Sequence, residues 1–105
     1  MKCWNVKFTL EADRDRSSLD TSVRNQVDKA IRKVSQNPLP KSECGYGTPL
    51  GHKSGSNLTG LCKITLKKLG VRVVYRLIRD AEIMLIIVIA TRADDEVYEI
   101  ADMRK

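Results

Sequence analysis

The sequence predicts an α+β fold, and three observations predict it. Apolar residues alternate at period two near the start, a helical stripe follows, and three short apolar runs separated by turn-like segments fill the second half. Trp4, Val6, Phe8 and Leu10 alternate with Asn5, Lys7 and Thr9, as in a strand with one buried face. Glu11 to Leu19 is polar except for Ala12 and Leu19 and reads as a short helix. Asp20-Thr21-Ser22 supplies an N-cap, after which Val23, Val27, Ala30, Ile31 and Val34 trace one helical face. Asn37-Pro38 ends that helix, because proline disfavours a helical residue before it and lacks the next N–H donor.

All three prolines and five of the six glycines lie between Pro38 and Gly60, a span without sustained periodicity that reads as a long loop. The runs Leu61 to Lys67, Val71 to Arg79 and Ile83 to Thr91 then form a three-stranded antiparallel meander. The last is apolar on both parities, which predicts a central strand with the long helix on one face. Asp94 or Asp95 can cap a final short helix carrying Val97, Tyr98, Ala101 and Met103. The expected architecture is an antiparallel sheet, N-terminal strand plus meander, packed on an N-terminal helical hairpin with a short C-terminal helix. Its 105 residues have room for one domain, 1–105, and one modest core.

A composition of 42% hydrophobic and 30% charged residues excludes intrinsic disorder. The longest apolar run, Ile83 to Ala90, is too short to span a bilayer, and Met1 to Asn5 lacks the apolar stretch of a secretory signal, so the expected location is cytoplasmic. Cys3, Cys44 and Cys62 are odd in number and widely spaced, which indicates neither a disulfide framework nor, with His52, a regular zinc site. No metal or cofactor is expected. The glycine-rich stretch Gly45 to Ser54 has the wrong spacing for a nucleotide-binding loop.

The net charge of +6 favours a polyanionic partner, and its distribution sharpens the point. No acidic residue occurs between Cys44 and Arg79, a window holding Lys53, Lys63, Lys67, Lys68, Arg72, Arg76 and Arg79. Strand parity concentrates this charge further. Opposing Cys62, Ile64 and Leu66 to Val71, Val73 and Tyr75 builds a dry face, which gathers Lys63, Thr65, Lys67, Arg72 and Arg76 on the other. Such a basic platform suits a phosphate backbone, so RNA or DNA is the natural ligand, with Lys53, Lys67, Lys68 and Arg76 as phosphate-binding candidates.

The stretch Leu58 to Ile78, which contains Gly70-Val71-Arg72-Val73-Val74-Tyr75, followed by Ile86 to Glu99, with Arg92 after the strand and Asp95-Glu96-Val97-Tyr98, resembles the RelE/ParE superfamily of bacterial toxins, in its RelE-like branch. The resemblance implies a RelE-like, microbial-RNase-type fold and a type II toxin–antitoxin toxin that enters the ribosomal A site and cuts mRNA. It implies as partners a cognate antitoxin, mRNA and the ribosome with its rRNA. It also implies catalytic positions at Lys63, Arg72, Arg92 and Tyr98. Thr65 departs from the pattern, standing where the best-known members carry a second lysine, and is kept with His52 as a further catalytic candidate.

Metal-free cleavage requires the 2′-OH to attack the adjacent phosphate, so the protein must align that attack, neutralise the phosphorane and protonate the leaving 5′-oxygen. Arg72 is the candidate for the phosphorane charge. Lys63 either stabilises the same charge or, with a pKa lowered by neighbouring cations, takes the 2′ proton. Tyr98 orients or deprotonates the 2′-OH or stacks on a base, and Arg92 stabilises the leaving oxygen. On this reading free RNA is a poor substrate. Two other readings stand beside it: a ParE-like inhibitor that binds DNA gyrase, and a non-catalytic basic nucleic-acid-binding module.

Overall fold

The computed structural model describes residues 3–53 and 55–105, and the side chain of Lys53, one of the phosphate-binding candidates, lies outside the described residues. The elements run β1 (Asn5–Phe8), α1 (Leu10–Ser17), α2 (Thr21–Val34), a 3-10 turn (Lys41–Glu43), β2 (Thr48–Lys53), β3 (Ser56–Leu66), β4 (Val71–Ile78), β5 (Ile83–Ala90) and α3 (Asp94–Arg104). The strands form one sheet in the order β1-β5-β4-β3-β2. The α+β class and the meander are as expected, and four details differ.

First, β1 pairs with β5 in parallel rather than antiparallel, Asn5 opposite Ile83 and Phe8 opposite Ile86. The long connection that a parallel pair needs is supplied by the helices and the intervening strands. Second, the span read as one long loop contains β2 and the first half of β3, paired antiparallel from Thr48–Lys63 to Lys53–Ser56. Pro49, Gly51 and Gly60 hide these strands from a pattern search. Between the Pro49–Cys62 and Gly51–Leu58 pairings the single residue Leu50 stands against Thr59, Gly60 and Leu61, so the bulge lies on β3, and the Leu50 side chain is buried.

Third, Leu10 is not a buried strand residue but the first residue of α1, 65% exposed, because Thr9 stops the strand and caps the helix by accepting the Ala12 N–H at 3.1 Å. Fourth, β4 and not β5 is the middle strand, although β5 is interior and buried on both faces. The register of β3 on β4 is the expected one: Cys62 opposes Tyr75, Ile64 opposes Val73 and Leu66 opposes Val71.

Both sheet faces are covered. On one, Val27, Ile31 and Val34 of α2 and Ala12 of α1 pack with Val71, Val73, Tyr75, Met84, Ile86 and Ile89. On the other, Val97, Tyr98 and Ala101 of α3 pack with Leu50, Leu58, Leu61, Val74, Ile87 and Val88. The pattern on β5 depends on a bulge: Val74 opposes Val88 but Tyr75 opposes Ile86, so Ile87 is the extra residue. The shift in parity sends Ile86 and Ile89 to the first core and Ile87 and Val88 to the second.

β1 stops opposite Ile86, so beyond it the edge of β5 needs other partners. Asp15 of α1 accepts the Ile89 N–H at 3.1 Å and the Arg104 guanidinium at 2.7 Å, while Arg104 also donates to the Ile87 carbonyl at 3.0 Å. Two side chains thus continue the sheet edge and pin α1 to α3. On the opposite flank, the buried Tyr75 hydroxyl donates to the Pro38 carbonyl at 2.7 Å, anchoring the segment that follows α2. Burial pushes the Tyr75 phenol up, so it remains a donor throughout the ordinary pH range.

Asp15→Ala should lower stability in urea denaturation by about 1–3 kcal/mol, since it strands the Ile89 N–H and Arg104 together. Combined with Arg104→Ala the loss should be less than additive. A second expectation concerns acid. Arg16 of α1 binds Asp28 of α2 through two hydrogen bonds, 2.8 and 2.6 Å, which hold the Asp28 carboxyl below the usual carboxylate range despite partial burial. The folded pKa is lower than the unfolded one, so this contribution is complete above an unfolded value of about 4 and disappears as pH falls through the folded value. Asp28→Asn should flatten that acid limb in pH-dependent thermal unfolding.

Candidate nucleic-acid interface

The antiparallel register sets three rows across β3, β4 and β5 on the α3 face: Leu61–Arg76–Leu85, Lys63–Val74–Val88 and Thr65–Arg72–Ala90. The expected open basic platform is therefore corrected. α3 covers its centre, burying Leu61, Val74 and Val88, and the cations occupy the margin. α3 lies there because Val97, Tyr98 and Ala101 give it an apolar side that needs a sheet to cover it.

At this margin Lys63, Arg72, Tyr98 and the backbone of Arg92 come together around a residue that sequence reasoning missed, Asp94. The Arg72 Nε donates to Asp94 Oδ1 at 2.5 Å, and the Lys63 Nζ lies 3.4 Å from Asp94 Oδ2. Arg72 Nη1 donates to the carbonyls of Arg92 at 3.0 Å and Gly70 at 3.3 Å. Gly70 turns the chain from β3 to β4 with a φ of 66°, a conformation that side chains disfavour. The residue expected to cap α3 thus binds across the sheet: Ala93 is the N-cap, and the Asp94 carboxylate points at Arg72 and Lys63. The spacing of charges could have revealed it, since Asp94 follows two residues after Arg92 and opens the helix that carries Tyr98.

Lys63 donates to the Tyr98 hydroxyl at 2.8 Å with its nitrogen 5.3 Å from the ring centroid, so it approaches along the C–O axis rather than over the ring face. Burial works against the Lys63 charge, but Tyr98 and Asp94 outweigh it and hold the ammonium above the usual lysine range. The expectation that neighbouring cations lower this pKa is therefore overturned, because a carboxylate and a phenol oxygen stand closest. Lys63 is a fixed cation at neutral pH and not a proton acceptor. Tyr98 is 6% exposed in the second core, which leaves no ring face for a base to stack on. At Asp94 burial opposes ionisation, yet the hydrogen bond from Arg72 and the Lys63 charge keep its carboxyl below the ordinary range.

The other candidates spread outward. Thr65 is exposed and opposes Arg72, within the site's outer row. Arg76 is exposed in the row beyond Lys63, and Lys67 and Lys68 are exposed in the β3–β4 turn. The Arg92 side chain is 63% exposed and pairs with Glu96 at 3.1 Å. His52 is not part of this cluster. It opposes Asn57, six residues along β3 from Lys63, or roughly 20 Å at strand rise. Lys63 and Arg72 together offer a partly buried anion site at the margin of α3, with Arg92 adjacent and a tyrosine hydroxyl behind.

No protein-family model matches the chain. A protein of Escherichia coli described as a RelE-like toxin is 28% identical over 104 residues, covering 96% of each chain. The toxin–antitoxin complex RelBE2 of Mycobacterium tuberculosis contains a chain that is 25% identical with a TM-score of 0.69, covering 90% of this chain and 97% of that one. A mutant of the E. coli toxin RelE in its free state superimposes with a TM-score of 0.77 at 23% identity over 98% of both chains, which is a likeness of fold. A five-stranded mixed sheet clasped between a helical hairpin and a C-terminal helix is the RelE-like α+β fold. In sequence and fold the chain is similar to RelE toxins.

Measured by side-chain NMR titration, the Lys63 ammonium should titrate above the ordinary lysine value of about 10.4, and Asp94→Asn and Tyr98→Phe should each lower it. A wild-type value below the ordinary one would contradict the geometry.

Proposed function

We propose that this protein is a ribosome-dependent mRNA endonuclease that cuts in the A site through attack of the substrate's own 2′-OH, without a metal. The observation that carries this reading is the convergence of Lys63, Arg72 and the Tyr98 hydroxyl at the margin of α3 beside Arg92. Arg72 and Lys63 neutralise the charge that grows on the phosphorane, the task of preorganised donors in phosphoryl chemistry. Arg72 suits it because its carbonyl anchors hold the planar fork in place before substrate arrives. Lys63, kept protonated, serves the same charge.

Because the Tyr98 oxygen accepts from Lys63, its own proton is free to donate to an RNA oxygen and orient the attacking ribose. Arg92, the most exposed of the four, reaches the leaving 5′-oxygen. On this reading the ribosome splays the mRNA into the attack geometry that these residues then hold. Arg76, Lys67 and Lys68 extend the phosphate track. A cognate antitoxin, acting in the same cytoplasm, silences the protein by laying an acidic or amphipathic segment over this margin or by displacing α3.

Primer extension on mRNA with and without translating ribosomes tests the proposal. Cuts within ribosome-bound codons are expected for the wild type, with Arg72→Ala reducing them by about 100-fold or more, the usual scale for losing one transition-state charge partner. Growth arrest with gyrase-linked DNA breaks and no mRNA cuts would overturn it in favour of the gyrase reading.

A further inference from the structure

The carboxylate of Asp94 stands where an anionic ligand of Lys63 and Arg72 has to go. Each of its oxygens faces one cation, Oδ1 the Arg72 Nε at 2.5 Å and Oδ2 the Lys63 Nζ at 3.4 Å, as two non-bridging oxygens of a phosphate would. It is also the outermost of the three groups: its side chain is 43% exposed, against 16% for Lys63 and 24% for Arg72. Both cations keep anchors that do not depend on it, Lys63 on the Tyr98 hydroxyl and Arg72 on the Gly70 and Arg92 carbonyls. Release of Asp94 therefore leaves the cations aligned. Retention leaves a fixed negative charge against the incoming phosphate.

We infer that Asp94 is a displaceable internal anion: it fills the phosphate subsite between Lys63 and Arg72 in the free protein and must swing off, by side-chain rotation, when a nucleic-acid phosphate binds there. This deepens the nuclease reading and rests on its assignment of the site to RNA phosphate, but it concerns binding rather than cutting. Asp94 then sets affinity. It keeps the site closed to stray polyanions and admits a phosphate that other contacts hold in place. Glu96 stands in the same relation to Arg92 at greater exposure, so two carboxylates oppose three cations at the margin.

The test measures binding of a fluorescent single-stranded 2′-O-methyl RNA, which cannot undergo 2′-OH attack, to the full chain by anisotropy over a salt series. Asp94→Asn and Asp94→Ser should each bind about 3- to 10-fold more tightly than wild type, with a salt dependence steeper by roughly one phosphate contact. Asp94→Glu, which keeps an anion in reach, should restore near wild-type affinity. In a Lys63→Ala, Arg72→Ala background the gain from Asp94→Asn should vanish, since both cations that face the carboxylate are gone.

Equal or weaker binding by both neutral variants, with circular dichroism showing them folded, would overturn the inference. So would a gain that survives loss of both Lys63 and Arg72, because it would reflect net charge alone. Loss of ribosome-bound cutting in Asp94→Asn without tighter binding would assign Asp94 to the chemistry and overturn it as well. Tighter binding by the neutral variants while no variant cuts mRNA would uphold the displaceable anion and sink only the nuclease reading.

Discussion

β5 is a strand with no solvent face, and the rest of the molecule is arranged to cover it. Its bulge at Ile87 turns apolar residues to both sides, so a helix layer is required on each: α1 and α2 over Ile86 and Ile89, α3 over Ile87 and Val88. Because β1 pairs with only the first half of β5, the remaining edge depends on Asp15 and Arg104, which come from the two layers and meet at the Ile87 carbonyl and the Ile89 N–H. One local requirement of backbone hydrogen bonding thereby joins the N-terminal and C-terminal helices across a single strand.

The site is a by-product of that arrangement. α3 has to dock over Val74 and Val88, and docking brings Tyr98 to Lys63 and the first helical turn to Arg72. The cations on β3 and β4 cannot sit beneath the helix, where burial without partners would be costly, so they line its margin and pair with what α3 presents. The helix thus gives Lys63 a buried hydroxyl and gives both cations a carboxylate that is partly open to water. Their opposed exposure separates a permanent partner from an exchangeable one. Displacing α3 as a whole would dismantle the site while sparing the first core, which gives an inhibitory partner a mechanical route to silence it.

Much of this was legible in the residues. The period-two alternation, the Val23 to Val34 stripe and the apolar matching of β3 with β4 specify local structure and register directly, because side-chain parity leaves one arrangement with a dry face. Lys63, Arg72, Arg92 and Tyr98 were identifiable as site residues through the family resemblance carried by Gly70 to Tyr75 and by Asp95 to Tyr98. The hairpin of β2 with β3 was not, because Pro49, Gly51 and Gly60 break the alternation and its pairing is confirmed only by a neighbouring strand. The direction of β1 was equally hidden, as four residues carry no record of whether their partner runs with or against them.

By itself, then, the sequence determined the elements, the dry face and the gathering of Lys63, Thr65, Arg72 and Arg76 on its reverse, all consequences of periodicity along a chain. Only the tertiary structure decided what those cations meet. The coupling of Lys63 to Tyr98 joins residues 35 apart and that of Arg72 to Asp94 residues 22 apart, and the separation of His52 from both is set by where it falls on a hairpin. Charge states follow from such neighbours and not from composition: a lysine read as surrounded by cations is held protonated by a phenol and a carboxylate that a folded helix delivers to it.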